Sequence, residues 1–398
     1  MQKLSYNGLD IAFTPYNEYF REIKKISVVH LLSSKRVESF AHIGQQEVLR
    51  MIKKINDLSA SKVVNLSEIL MSFASSNICR IAFGKRYEDD GKSRSRFHSL
   101  LNDAQAMFMA TFFSNYVPFG GLLDILTGKS SRLEQIFKNL DAFYEEIIND
   151  HVDPNKPLSE HEDIIDVLLH LRKDRPFQLS LDHIKAVLMN IFLAGTDTSA
   201  AMVTWAMTEL MRNPNAMNKV QEELRSIAIG NKDLIEKSDL QQLNYFKAVV
   251  KETFRLHPAS PLLIPRETVR ESTINGYDIL PNTLVFVNAW AIGRDHKSWT
   301  DPQKFMPERF LETSIDFKGY DFELIPFGSG RRMCPGLNLG VANMELALAN
   351  LLYSFDWELP STSEKNGIDD FDVLPGITMH KKYPLYLVAN KFNSCASI

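Results

Sequence analysis

Apolar positions recur at helical spacing through most of this chain and give way to alternation in only two places. Gln45 to Ile55, Leu66 to Phe83 and Phe97 to Phe113 each carry the three-and-four repeat that gathers apolar side chains on one helical face. Ser180 to Asn213 is longer, and Ser180 followed by Leu, Asp and His predicts its N-cap. Leu243 to His257 and the Ala/Leu-rich run Leu337 to Phe355 predict two more helices, while Phe13 to Lys25 reads as a helix start with a basic face. Pro258 to Arg266 is expected to be extended, because its prolines disfavour helix in the residues before them. Val269 to Trp290 alternates as short strands do, and Phe371 to Asn390 reads as a hairpin turning at Leu374-Pro375-Gly376-Ile377-Thr378. The polar stretch Asp150 to Glu162 predicts an inter-helix loop. The pattern is mainly α with a minor β-sheet region. No Gly/Ser or Pro-rich linker and no internal repeat divides it, so a single domain over 1–398 is expected.

Composition narrows the class. The chain has 398 residues, 44% hydrophobic and 10% aromatic, enough to bury a large core. A net charge of −4, from 45 basic and 49 acidic residues, advertises no nucleic-acid partner. Cys79, Cys334 and Cys395 are too few and too scattered for a disulfide framework, which points to a reducing compartment. The amino terminus from Met1 to Gly8 has no apolar core and reads as neither signal peptide nor anchor.

Candidate chemistry concentrates in eleven residues, Pro326-Phe327-Gly328-Ser329-Gly330-Arg331-Arg332-Met333-Cys334-Pro335-Gly336. Glycine permits backbone angles and close approaches that a side chain blocks, so this reads as a loop pressed against something flat or bulky. Pro335 suits a first helical position, which places Cys334 at a helix amino end. There the helix dipole favours the thiolate, the metal-binding form. A buried free cysteine at a tight turn is the plain alternative. A zinc site would need several Cys or His ligands, and none lies near. One protein ligand suffices if a macrocycle supplies the other four, as in haem, whose propionates would also account for nearby arginine.

Phe327, Gly330, Arg332, Cys334 and Gly336 stand as in the haem-binding signature of the haem-thiolate monooxygenases, the cytochrome P-450 superfamily, which the chain resembles over nearly its full length. A second motif is Ile191-Phe192-Leu193-Ala194-Gly195-Thr196-Asp197-Thr198-Ser199. Asp197 inside an apolar helix is costly unless paired or working. Gly195 and Thr198 weaken the helix and predict a local opening of its hydrogen bonds, and the polar interruptions argue against a membrane span. The residues alone also allow a bent core helix with a capped carboxylate. The run matches the family's oxygen-activation motif, which implies that Ala194 and Gly195 make room for dioxygen at the haem while Asp197 and Thr198 relay protons. Third, Glu252 and Arg255 lie three apart on one helical face, with Arg309 in Phe305-Met306-Pro307-Glu308-Arg309-Phe310. They match the family's buried structural Glu-x-x-Arg network, which holds the loop presenting the cysteine.

The resemblance implies further roles. Leu262, Leu263 and Ile264 would line the pocket beside the haem, with Phe192 and Leu193, and Arg266 would meet a propionate. Ala106 to Phe113 would roof the substrate chamber, and Ile377 would reach into it from the tail turn. Relatives usually carry Trp and Arg where this chain has Phe20 and Lys24. Phe20 has no N–H to donate, and Lys24 lacks the planar fork, so propionate binding is expected to weaken by roughly 1–3 kcal/mol. Arg21, Lys24 and Lys25 would add to a basic surface for a flavoprotein reductase.

The expected protein is thus a cytochrome P-450 fold lacking its N-terminal anchor and first elements, similar to plant microsomal members. It would carry haem b on Cys334 and insert one oxygen atom from O2 into a lipophilic small molecule, probing apolar plant metabolites such as terpenoids, phenolics or aldoximes. Electrons would come from NADPH through a separate reductase, since no Gly-rich nucleotide fold is present in the chain. The resemblance implies the endoplasmic reticulum membrane, cytosolic face, although the chain as written carries no anchor. The alternatives are a truncated, non-catalytic haem-binding remnant and a member that rearranges an oxygenated substrate without dioxygen, the latter opposed by Asp197 and Thr198.

Overall fold

Helical periodicity and local capping account for most of the elements. In the computed structural model the described residues are 3–59, 63–87, 99–100, 103–104, 106–107, 110–155, 161–174, 179–227, 232–361, 368 and 371–392. They form two compact units, Met1–Glu47 with Met71–Asp197, and Val48–Leu70 with Thr198–Ile398.

In the first unit, α1 (Glu18–Lys25) starts where the Asn17 side chain accepts the N–H of Phe20, and it runs into a π-helical turn, Ile26–Leu31. After α2 (Ser34–Ser39) comes α3 (Ala41–Ser59), longer than its apolar pattern suggested; α4 (Leu66–Phe83) has the expected bounds. Both α3 and α4 contribute to each unit. Glu47 of α3 is buried and pairs with Arg80 at 2.7 Å and with Arg86. The helix expected over Phe97 to Phe113 is not continuous: residues 110–112 are non-helical and a 3-10 turn forms at Phe113–Asn115, while Phe97, Phe108 and Met109 lie outside the described residues. The reason lies downstream. Asp124 of α5 (Gly120–Leu126) accepts the N–H groups of Phe113 and Ser114 at 2.8 and 3.0 Å, a better outlet for those donors than another helical turn. Gly120 is required here, because a Cβ would lie 2.3 Å from the Phe113 carbonyl. α6 (Lys129–Val152) and α7 (Ile164–Asp174) follow, with the expected loop between them; residues 156–160 of that loop lie outside the described set. The amino-terminal segment is not loose: Leu4 and Asp10 are buried, and the Asn190 amide bridges Asp10 Oδ2 and the N–H of Ile11.

α8 (Leu181–Arg212) belongs to both units. Ser180 Oγ accepts the N–H of His183, which makes the expected cap. The expected opening at Gly195 and Thr198 does not occur, since the helix runs unbroken to Arg212. Its tolerance for Gly195 is explained by packing, because a Cβ there would meet Ile78 Cδ1 at 2.5 Å. This helix is long and apolar enough to cross a bilayer, but two-thirds of that apolar window is buried in the protein (67%), as in a core helix.

In the second unit, α9 (Pro214–Ser226) and α10 (Asn244–Leu256) lie close to one another, and α9 also lies close to α12 (Leu337–Ser354). The strands are short and antiparallel. β1 (Val64–Asn65), β7 (Tyr386–Lys391) and β6 (Phe355–Glu358) form a sheet in the order β1-β7-β6, β2 (Arg266–Glu267) pairs β5 (Leu284–Val285), and β3 (Ser272–Ile274) pairs β4 (Tyr277–Ile279). The alternation expected to reach Trp290 ends earlier, because Asn288 caps a helical turn, α11 (Ala289–Ile292). The tail turns over Leu374 to Thr378 as expected, closed by the bridge Val373↔Lys381, but β7 leaves the hairpin to pair with β1 and β6.

Candidate functional site

The cysteine loop is built by backbone hydrogen bonds. Gly328 N–H donates to Ile325 O (2.9 Å), Met333 N–H to Gly330 O (3.1 Å), and Cys334 N–H to Phe327 O (2.9 Å), which draws the two ends of the loop together. Gly328 and Gly330 adopt φ of +71° and +69°, the left-handed region in which glycine is unstrained. Pro335 is not the first helical residue. It lies in a turn, and Gly336 is the N-cap of α12, so Cys334 stands just ahead of the helix amino end. Its thiol is exposed and forms no disulfide, whereas Cys79 is buried in the first unit; Cys395 lies outside the described residues.

Phe327 anchors the loop to α10. Its ring stands 5.1 Å from Phe254 and 5.8 Å from Phe317, both edge-on or tilted, the favourable arrangement for aromatic pairs. The same helix carries the ion network. Arg255 grips Glu252 through two bonds of 2.7 Å, with both side chains buried, and Arg309 reaches Glu252 Oε1 at 3.1 Å. Arg255 also donates to the carbonyls of Gly293 (2.6 Å), Pro302 (2.7 Å) and Lys304 (3.0 Å), and Arg309 to Thr300 O (2.9 Å). Every buried charge is thereby compensated, without which an ion costs several kcal/mol. Sequence reasoning missed Gly293, where a Cβ would sit 2.3 Å from the Arg255 carbonyl oxygen, and Trp299, whose ring lies 5.4 and 5.9 Å from the two guanidinium groups. No local pattern signals either, because the helical turn that precedes Gly293 itself reads in the sequence as the end of a strand region.

Arg266 opens β2 and lies beside the loop: a side chain at Gly328 would come within 3.7 Å of its Nη2 and 3.6 Å of Leu263 Cδ1. The guanidinium is half-buried, desolvation pulls its pKa down, and it has no hydrogen bond or ion pair among the described residues. A cation desolvated without a partner fits an anionic group delivered by a ligand. An exposed thiol just ahead of a helix, an arginine without a partner among the described residues near Gly328 of the same loop, and glycines that keep the approach open together fit the donor set that haem requires.

Leu263 has φ +53°, rare for a branched residue, and is held there by its own N–H to Ser260 O (3.1 Å) and by Trp290 N–H to Pro261 O (3.2 Å). Leu262 is exposed and Ile264 half-buried. The turn bearing the half-buried Ile377 is tied to this segment, because Met379 N–H donates to Ala259 O at 2.8 Å. Four of the expected wall residues are thus brought into one hydrogen-bonded framework.

In the first unit, Ala194 is the exposed position of its helix stretch, while Thr196 is buried and Gly195 and Asp197 are half-buried; Thr198, which follows in the second unit, is half-buried as well. Leu193 is half-buried. Phe192 is fully buried, 6.0 Å from Phe83 in a cluster with Phe143 and Tyr144, so core packing accounts for it and nothing here makes it a pocket wall. Phe20 is buried beside Tyr16, and Lys24 and Arg332 are half-buried and each interacts with a neighbouring group.

A sequence profile described as Cytochrome P450 matches residues 2–388. The chain is 48% identical over 395 residues to 5-OH-xanthotoxin synthase of Ammi majus, spanning 97% of this chain and 77% of that one. It is 45% identical over 397 residues to cytochrome P450 71A1 of Persea americana (98% and 79%), and 46% identical over 400 residues to 6,7,8-trihydroxycoumarin synthase of Pastinaca sativa (98% and 78%). Among solved structures, a zebra fish cytochrome P450 with abiraterone aligns with a TM-score of 0.79 at 22% identity, over 98% of this chain and 86% of that chain, a likeness of fold.

Proposed function

The chain belongs to the cytochrome P450 family, and from that premise we propose that it is a monooxygenase of the coumarin class of plant specialised metabolites, with Cys334 as the axial ligand of haem b. The observation that carries the reading is the closed Phe327 to Cys334 loop, with the Arg266 guanidinium beside it and without a partner among the described residues. The substrate class is taken from the two relatives named for hydroxylated coumarin-type products, and the apolar side chains of Leu262, Leu263, Ile264 and Ile377 suit a flat, lipophilic ring system. Relatives matched over nearly all of this chain are named as synthases, and its amino-terminal segment is packed rather than loose; both count against a non-catalytic remnant.

Haem, when bound, supplies dioxygen activation, and a thiolate ligand pushes electron density that favours O–O cleavage. The protein's part is to hold and to protonate. The loop hydrogen bonds keep Cys334 Sγ presented ahead of α12, whose amino end favours the thiolate. Arg266, with Lys24 and Arg332, would neutralise propionate charge, and Phe327 and Gly336 would shape the approach to the ring. Ala194, the exposed position of its helix stretch, would leave space for dioxygen, whereas the room at Gly195 is taken by Ile78; the Asp197 carboxyl would pass a proton inward and the Thr198 hydroxyl would position it. Electrons come from NADPH through a flavoprotein reductase.

The location that the family resemblance implies is the cytosolic face of the endoplasmic reticulum membrane, and the segment 113–126 supports the membrane contact that this location requires. Tyr116, Phe119 and Leu126 are 74%, 86% and 82% exposed, with Leu122 and Ile125 beside them, in a strap that Asp124 and Gly120 fold into a defined shape. An ordered structure that turns its apolar side chains outward is built for an apolar partner.

Two measurements test the catalytic reading. The reduced protein should bind carbon monoxide with the strongly red-shifted Soret band of a thiolate ligand, and Cys334→Ser should abolish it; an unshifted band in the unaltered protein would overturn the assignment. With reductase and a panel of coumarins and furanocoumarins, Thr198→Ala should keep that band, release peroxide and lose coupling by about 10–100-fold. Unchanged product yield per NADPH would remove Asp197 and Thr198 from proton delivery.

A further inference from the structure

The indole N–H of Trp205 donates to the carbonyl of Met379 at 2.6 Å, inside the second unit, where both residues are buried. Met379 also donates its own N–H to Ala259 O at 2.8 Å. One peptide residue therefore links α8 to the segment bearing Leu262 to Ile264, two residues beyond the Ile377 that tips the tail turn. The rest of that turn is fixed on the far side by Leu374 N–H to His380 O (2.9 Å) and Lys382 N–H to Asp372 O (2.8 Å). Its geometry is set from both ends.

Trp205 is itself packed on its ring faces and edge. His257 stacks on it with ring centres 4.2 Å apart and planes 6° from parallel, and Phe371 lies nearly parallel to both at 6.0 Å. Glu209 accepts the His257 Nε2–H at 2.7 Å, and the Lys381 ammonium lies 4.9 Å from the indole centre. Burial holds His257 below its ordinary pKa, with the Glu209 bond partly offsetting, so the stacked ring is neutral near pH 7. A donor packed this closely constrains where its acceptor can lie.

We propose that Trp205 is a positioning residue for selectivity: through Met379 it sets the spacing between the turn bearing Ile377 and the wall of Leu262, Leu263 and Ile264, and thereby the size and shape of ligand the haem site admits. The proposal rests on the monooxygenase reading of the site. Loss of the N–H should alter recognition of bulky ligands and leave recognition at the metal unchanged.

The probes are imidazole, which contacts little beyond the iron, and clotrimazole, whose three aryl rings press on the walls; both are read by the Soret shift of the haem-loaded protein. Trp205→Phe keeps an aromatic plane and deletes the donor. It should retain the carbon monoxide band and change imidazole affinity by less than about twofold, while changing clotrimazole affinity by about tenfold, the scale of one buried hydrogen bond. Ile377→Ala should make the same clotrimazole shift, and the double variant should be non-additive. Should Trp205→Phe fail to load haem, benzothienylalanine in place of Trp205 removes the N–H at nearly constant shape, and the same comparison applies. Equal affinities for clotrimazole with and without the N–H, or additive effects with Ile377→Ala, overturn the proposal. Absence of haem in the unaltered protein would instead overturn the underlying reading.

Discussion

Glu345, in the middle of α12, shows how one side chain carries the cost of a packed helix. Burial pushes its carboxyl up to about 7, with Lys247 and Lys237 partly offsetting. Unfolded, the group titrates near 4.5. Between those values the folded chain holds a proton that the unfolded chain has lost, so stability falls as pH climbs from 4.5 through 7. Glu345→Gln should flatten that slope and raise stability at pH 8, relative to the unaltered protein, by on the order of 2–3 kcal/mol, read by denaturant melts at pH 5 and 8. A slope unchanged by the substitution would show that the carboxyl ionises freely in the fold. At this scale the sequence was informative where chemistry demands rare residue types. Cys334 among its glycines and Asp197 in an apolar helix were visible as anomalies. Trp205 was not, because an aromatic residue in an apolar helix is what any core contains, and only its N–H distinguishes it.

Among elements, α10 joins the ion network to the cysteine loop, since Phe254 touches Phe327 while its neighbours Glu252 and Arg255 fasten the segment 293–309. Gly293→Ala tests how tightly. Its Cβ would meet backbone rather than a movable side chain, so relief requires shifting Arg255 itself. A loss of about 1–3 kcal/mol is expected, with haem content falling in step, whereas a melt within a degree of the unaltered protein would mean that the turn relaxes without disturbing the network. Element existence was legible from periodicity: α4, α8, α10 and α12 lie where the apolar repeat placed them. The misplaced features have a common cause. The helix expected to Phe113 yields to Asp124, eleven residues on, and β7 leaves its hairpin for partners at Val64 and Phe355, and neither competitor is visible within a local window.

For the whole molecule, the ordered apolar strap 113–126 makes a prediction independent of catalysis. The haem-loaded protein should sediment with vesicles of phosphatidylcholine and phosphatidylserine, and Phe119→Ser with Leu126→Ser should reduce the bound fraction at least about threefold without altering the melting temperature. Equal binding by the double variant would assign membrane contact elsewhere. A different consequence follows from Leu263. Its left-handed backbone costs about 1–3 kcal/mol that glycine or asparagine would not incur, and the tight turn around it keeps that energy in place. A laboratory evolution campaign that rewards heat resistance alone would therefore drift toward Leu263→Gly or Leu263→Asn. Its most robust winners would have traded a side chain proposed to wall the reaction chamber for a relaxed turn, and a screen for thermostable biocatalysts would need to score product alongside survival at every round.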